Sequence, residues 1–318
     1  MKMTRPDLPL NQLRAVFGDR LQENVSLADY TTARTGGLAD AFLPVHTAAD
    51  LAQAVSAAWE LGVPCTVLGG GSNCLVSDEG LRELVLLNRA RNTRIDTRTT
   101  PPTAWAESGA NFSALARQAA LRGLAGLEWA AAVPGTVGGA VFGNAGAFGG
   151  DVRGSLLLAE ILHPERGRET WPVERLEYHY RSSVLKREKS QAVILSAVFH
   201  LTEGDKAAIQ ASMEANTGQR QRTQPPGASM GSMFKNPEGD YAGRLVDACG
   251  LKGRRIGGAE ISPVHANFFV NLGQATASDI WQLIQLAHNA VLEQHGINLE
   301  LEIELLGPFE PMVSIHRS

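Results

Sequence analysis

The sequence predicts an α+β protein, and three observations carry the prediction. Helical and strand spacings succeed one another along the chain with no internal repeat. The last third reads as a unit of its own. The 33 glycines among 318 residues gather in clusters between the elements, marking loops where main chain must come close to something. A chain of this length suggests about two to three domains of roughly 100 to 200 residues each. It is long enough to bury a sizeable core without disulfide or metal staples.

Taken in order, Thr47 with Asp50 opens a helix that presents Leu51, Ala54, Val55 and Ala58 on one side. Gly62 and Pro64 stop it. Cys65–Leu68 then reads as a buried strand running into Gly69-Gly70-Gly71-Ser72-Asn73, and Leu75 to Gly80 as strand and turn. Asn111 starts a second helix, with Leu115, Ala116 and Ala119 inward and Gly123 as its end. A hairpin follows, from Ser155–Leu162 through Pro164-Glu165-Arg166-Gly167 to Glu169–Trp171. Ala192–Leu201 is a further strand, Thr202-Glu203-Gly204-Asp205 breaks the pattern near a domain boundary, and an alanine-rich helix comes next. Thr276 with Asp279 opens a helix facing a core through Ile280, Leu283, Ile284, Ala287 and Val291, and Gly296 closes it. Leu299–Leu305 alternates strictly, placing Leu299, Leu301, Ile303 and Leu305 on one face and Glu300, Glu302 and Glu304 on the other.

Composition excludes several classes. Lysine and arginine total 29 against 33 acidic residues, a net charge of −4, so no basic face for nucleic acid is expected. Cys65, Cys74 and Cys249 form no CxxC pair and suit a reducing compartment. Met1–Asp7 lacks the apolar core of a signal peptide. The most apolar run, Ala130–Gly143, is shorter than the about 20 residues a span requires. A cytoplasmic protein without membrane insertion is expected. The eight histidines form no HExxH set, so no metal is assigned.

The chemistry-bearing residues lie in loops. Gly69, Gly70, Gly71, Ser72 and Asn73 follow a strand, where bare main chain can cradle an anion or make a tight turn. The loop is no Rossmann fingerprint, since Cys74 stands where glycine is needed, and no Gly-Lys exists anywhere for a Walker loop. A second cluster holds Pro134, Gly135, Thr136, Gly138 and Gly139, then Asn144 and Gly146. It suits flat packing against a ring or pyrophosphate, or a close helix contact. Two uncharged clusters suggest one large cofactor gripped by backbone. Ser232, Lys235 and Asn236 set hydroxyl, ammonium and amide within five residues, without the Gly-x-Ser-x-Gly elbow of a hydrolase. Arg181 in Tyr180-Arg181-Ser182-Ser183 fits a carboxylate bidentately or faces water. Spacing does not choose among Glu300, Glu302 and Glu304.

Six segments, in order, resemble the UDP-N-acetylenolpyruvoylglucosamine reductase family. They are Tyr30–Gly37, Gly69–Asn73, Glu128–Gly149, Tyr180–Ser183, Gly231–Pro237 and Ala259–Asn271, the last with His265-Ala266-Asn267-Phe268. They span roughly residues 26 to 307. The resemblance implies a two-lobed FAD-binding module of the vanillyl-alcohol-oxidase / p-cresol-methylhydroxylase type, with residues 1–85 and 86–205 as its lobes. A C-terminal α+β substrate domain would cover 206–318. It implies a monomer with FAD and NADPH as cofactors, the two glycine clusters holding FAD, and a UDP-sugar enolpyruvyl ether as substrate in cell-wall synthesis. By the same resemblance Ser232 is the proton donor to C2 of the enolpyruvyl group. Arg181 and Glu302 stabilise the intermediate, Glu302 as an acid kept protonated by burial. Tyr180, Lys235, Asn236 and His265 line the substrate pocket. The chain departs from the family where Glu302-Ile303-Glu304 replaces Glu-Val-Arg and where Gly143 replaces a bulkier residue. It resembles the shorter subtype without the extra tyrosine loop. Two rival readings are another oxidoreductase on the same FAD module and a non-catalytic nucleotide-binding protein.

Overall fold

Local sequence sets the helix ends as the spacing predicts. The Asp50 N–H donates to Thr47 Oγ1 and starts the helix Ala48–Glu60, and Asn111 accepts from the Ala114 N–H ahead of Phe112–Ala120. Thr276 and Asp279 cap each other reciprocally at the start of Ala277–His295, which Gly296 ends in the left-handed region (φ 67°). The computed structural model describes residues 8–311, so the reading of Met1–Asp7 lies outside the described residues. The chain forms two compact units. Unit 1 holds residues up to 22, 41–70 and 83–220; unit 2 holds 23–40, 71–82 and those from 221 onward.

Two larger sheets build most of unit 1. In the first, Leu81–Asn88 lies between Leu38–Val45 and Cys65–Leu68. Cys65–Leu68 runs parallel to Leu81–Asn88, with Cys65 opposite Leu84 and Leu68 opposite Leu87. Leu51, Val55 and Ala58 of the helix Ala48–Glu60 pack there with Leu43, Leu84 and Leu86. The strand Cys65–Leu68 was expected to be buried. Only Leu68 is, because the strand stands at the end of its row and has a neighbour on one side.

The second sheet is wholly antiparallel. Its order is Gly167–Pro172, Leu156–His163, Val193–His200, Thr103–Glu107, Thr93–Asp96. The helix Phe112–Ala120 lies in the same core, where the Phe112 ring meets Trp129 (5.4 Å) and Phe199 (5.1 Å). Burying a side chain of that size contributes about 3 kcal/mol. The alanine-rich helix after Asp205 is Lys206–Thr223, and it buries Ile209 and Met213 against Ala120 and Ala131.

In unit 2, Arg255–Ile256, Ala259–Ile261 and Phe269–Asn271 form an antiparallel sheet. Ile280, Leu283, Ile284, Ala287 and Val291 of the long helix share a core with Phe234, Phe269, Leu299 and Ile303. Asp78, distant in sequence, accepts the first N–H groups of that helix, from Ala277 and Ser278, at 2.8 Å each. The alternating run Leu299–Leu305 is not one continuous strand. Leu301 bridges Phe234, while the regular strand is Glu304–Leu306, parallel to Cys74–Val76. The segment changes partner midway, which breaks the ladder but keeps the faces. Leu299 and Ile303 are buried, Leu301 and Leu305 pack partly against the same core, and Glu300 is exposed.

Among the described residues, no helix is long and apolar enough to cross a membrane. No group of three His, Cys, Asp or Glu side chains among them is placed to hold a metal.

Candidate active site

Unit 1 sets Gly69 and Gly70, the start of the first glycine cluster, against Gly135 and Thr136 of the second. A Cβ added at Gly70 would lie 3.3 Å from Gly135 Cα, and one at Gly69 would lie 2.5 Å from Thr136 Oγ1. Bare main chain therefore faces bare main chain across the two loops. Thr136 then caps a seven-residue helix, Val137–Gly143, accepting from the Gly139 N–H. Periodicity missed this helix because glycine is a poor helix former. The glycines divide by what their missing Cβ does. At Gly138 it admits Ser108, whose carbonyl accepts the Gly138 N–H at 2.7 Å, so Gly138 serves packing. Pro134, Gly70 and Gly139 are exposed and Gly135 half-buried. The three glycines present main chain free of side-chain bulk, beside the Pro134 ring, and a flat cofactor with a diphosphate fits such a strip.

The end of that helix carries the arginine. Asn144 adopts the left-handed conformation (φ 47°). Its amide donates to the His179 carbonyl at 3.0 Å, and its Oδ1 accepts the Arg153 N–H at 2.9 Å. His179 and Ser182 pair across a tight turn whose tip is Tyr180-Arg181, with Arg181 at φ 54°. Ser183 Oγ and the Tyr178 hydroxyl donate to the Phe142 and Val141 carbonyls, which fastens the turn to the helix. Arg181 Nη2 then donates to the Gly146 carbonyl at 2.6 Å. A Cβ at Gly146 would lie 2.8 Å from Asp151 Cβ, 2.9 Å from the Gly150 carbonyl oxygen and 3.1 Å from Arg181 Nη1, so that glycine lets the hairpin and the guanidinium close together. Arg181 is half-buried and Tyr180 exposed, with the guanidinium carbon 5.2 Å from the ring centre.

Unit 2 runs the segments that carry Ser232 and Glu302 side by side. The segments around them run antiparallel. The Glu302 N–H donates to the Met233 carbonyl at 2.9 Å, Phe234 bridges Leu301, and the Lys235 N–H donates to the Glu300 carbonyl at 2.8 Å. Ser232 bridges Phe268 on its other side. Both Ser232 and Glu302 are half-buried. Lys235 Nζ sits 3.0 Å from Glu300 Oε2, so Glu300 is the partner of a cation. Asn236 accepts the Ala242 N–H at the start of the helix Ala242–Ala248. His265 Nδ1 accepts the Asn267 N–H at 3.2 Å, and its ring meets Phe268 edge-on at 5.0 Å. Burial, helped by the Lys252 charge, pulls the His265 pKa below its ordinary value and favours the neutral ring.

Gly71, Ser72 and Asn73 also belong to unit 2. Gly71 is at φ 58°, where a Cβ would strike the Tyr30 carbonyl, and its own carbonyl accepts the Thr32 N–H at 3.0 Å. Thus the five-residue glycine loop divides between the units after Gly70. Arg181, Asn144 and Gly146 stand with the unit 1 strip; Ser232, Lys235, Asn236, His265 and Glu302 stand in unit 2.

Sequence reasoning missed Asn267. Its side chain accepts the Phe234 N–H at 2.9 Å and donates to the Phe234 carbonyl at 2.8 Å, while its carbonyl accepts the Met233 N–H. It braces the Ser232–Lys235 segment at Met233 and Phe234. It lay within the His265–Phe268 motif, but nothing in the spacing separates an amide used as a brace from one on the surface.

Comparisons with known proteins bear on the same segments. A family model described as an FAD binding domain matches residues 39–161, and one for the C-terminal domain of UDP-N-acetylenolpyruvoylglucosamine reductase matches residues 221–306. The UDP-N-acetylenolpyruvoylglucosamine reductase of Chloroflexus aggregans is 42% identical over 291 residues, covering 90% of this chain and 97% of its own. That of Rubrobacter xylanophilus is 44% identical over 281 residues, covering 88% and 93%. The crystal structure of the Thermus caldophilus enzyme superposes with a TM-score of 0.77 at 36% identity, covering 91% of this chain and 99% of that one. The expected FAD-binding module and C-terminal α+β domain are both present.

Proposed function

The chain belongs to the UDP-N-acetylenolpyruvoylglucosamine reductase family, and from that premise we propose that it reduces the enolpyruvyl double bond of UDP-N-acetylglucosamine enolpyruvate. The product is UDP-N-acetylmuramate, a peptidoglycan precursor, and the electrons come from NADPH. Bound FAD supplies a two-electron relay between nicotinamide and carbon. Residues 1–85 and 86–205 act as its two lobes and 206–318 as the substrate domain. Pro134, Gly135, Thr136, Gly138, Gly139, Asn144 and Gly146, with Gly69–Asn73, hold it through main chain and packing.

The remaining chemistry belongs to side chains. Hydride arriving at C3 leaves an electron pair at C2, beside the substrate carboxylate. Ser232 Oγ–H delivers its proton to C2 and recovers one from water; the carbanion is the far stronger base, so geometry governs the transfer. The Arg181 guanidinium, oriented by the Gly146 carbonyl, neutralises charge spreading into the carboxylate. Glu302 in its acid form donates a hydrogen bond to the same oxygens. Tyr180, Lys235, Asn236 and His265 position the sugar nucleotide. The enzyme works in the cytoplasm as a monomer.

One observation supports this reading: the Glu302 N–H donates to the Met233 carbonyl, so the main-chain segments that carry Ser232 and Glu302 run side by side. The test is anaerobic mixing of the purified flavoprotein with NADPH, then with the enolpyruvyl sugar nucleotide. Bleaching of the flavin and then return of its colour are expected. Bleaching without recolouring sinks the assignment, and Ser232→Ala must slow the second step far more than the first.

A further inference from the structure

We infer that the Asn73 side chain is a positioning device for Glu302, through which the glycine loop fixes the acid. This rests on the reductase reading above. The Asn73 side-chain amide donates to the Glu302 carbonyl at 3.2 Å, and the Asn73 carbonyl accepts the Glu304 N–H at 2.9 Å. The Glu302 N–H is held by Met233. Both peptide groups flanking the Glu302 Cα are therefore pinned, one by the Ser232 segment and one by Asn73. Their pinning sets the direction of the Cα–Cβ bond that carries the carboxyl group.

Asn73 is exposed, but the main chain on either side of it is held. Gly71, two residues earlier, is locked against Tyr30 and Thr32. Immediately afterwards the chain enters the parallel pairing of Cys74–Val76 with Glu304–Leu306, continued by the Ser77 N–H to the Leu306 carbonyl. The loop and the acid, 229 residues apart in sequence, thus form one hydrogen-bonded piece. An asparagine suits this place because it offers a donor at side-chain reach while its main chain joins the ladder. Aspartate has the same shape but points an acceptor at the Glu302 carbonyl.

Asn73→Asp in the FAD-loaded protein tests the inference by comparing two half-reactions. The ratio of flavin reoxidation by the enolpyruvyl sugar nucleotide to flavin reduction by NADPH should fall about tenfold. In the Glu302→Gln background the same substitution should lower that ratio no further, since Asn73 acts through Glu302. Amide exchange of the segment 299–306, followed by mass spectrometry with and without FAD, should be about tenfold faster in Asn73→Asp. An unchanged ratio, or a full further loss in the double variant, overturns the inference. If the variant binds FAD poorly, exchange in the apo-protein decides, and wild-type protection of 299–306 refutes the clamp. Failure of the reductase reading looks different: the wild-type protein is bleached by NADPH and never recoloured, while the exchange measurement still judges Asn73.

Discussion

Removal of the Asn267 side chain should be the most damaging single truncation near the site. Asn267 is buried, and both hydrogen bonds of its amide go to the main chain of one residue, Phe234, which is itself fully buried. In Asn267→Ala a buried N–H and a buried carbonyl lose their partners together. Each orphaned group costs about 1–3 kcal/mol, and the vacated volume adds to this. Partial entry of water offsets some of the loss, which leaves about 3 kcal/mol. For a unit of this size that lowers the melting temperature by about 10 °C. Asn267→Leu separates polarity from volume, because leucine fills the space and leaves both groups orphaned; it should still lose about 2 kcal/mol. Asn267→Asp keeps an acceptor for the Phe234 N–H but sets a carboxylate against the Phe234 carbonyl. Its carboxyl pKa is raised in the folded state, so stability returns as pH falls through that value, when the acid can donate again. Thermal unfolding of the three variants across pH, followed by circular dichroism, is the assay. If Asn267→Ala melts within about 1 °C of wild type, or Asn267→Leu is as stable as wild type, the brace is not structural and the reasoning fails.

The thiols should differ in reactivity. Burial raises Cys65 to about 11 and Cys74 to about 12, with Glu83 and Glu304 adding to each, so a disulfide reagent at pH 8 should modify the less buried Cys249 first and the others only on unfolding. His265 has a depressed pKa, so the unfolded chain takes up its proton first, and stability falls as pH drops below about 6.5. His265→Asn should flatten that decline in urea titrations; a slope equal to wild type removes His265 as its source. Gly70→Ala places a methyl 3.3 Å from Gly135 Cα. It should cost no more than about 1 kcal/mol of stability yet leave purified protein with visibly less flavin, and full flavin content would show that the strip is not the cofactor's seat.

The helix ends were legible because their signals are local. Thr47, Asn111, Thr276 and Gly296 each act within four residues of themselves. The core faces of Ala48–Glu60, Phe112–Ala120 and Ala277–His295 followed from 3.6-residue spacing for the same reason. The glycine-rich helix Val137–Gly143 was illegible, since two adjacent glycines erase the apolar stripe, and what holds it is the distant Ser108 carbonyl. The run Leu299–Leu305 showed which way its side chains face and not that it changes partner. The site was legible only as a resemblance. Nothing near Asp78 announces that it caps a helix some 200 residues away, and nothing near Asn73 announces Glu302. The left-handed Arg181 likewise depends on a turn closed by His179 and Ser182, which composition does not encode.

The interrupted layout of unit 2 has a consequence for synthesis. Leu75 and Val76, both fully buried in the finished molecule, leave the ribosome more than two hundred residues before Glu304–Leu306 and the helix that Asp78 caps. Until residues 304–306 are made, that short apolar strand lacks its parallel neighbour. A nascent chain stalled before Glu304 should therefore stay bound to holding chaperones, and release should coincide with the emergence of residues 304–306.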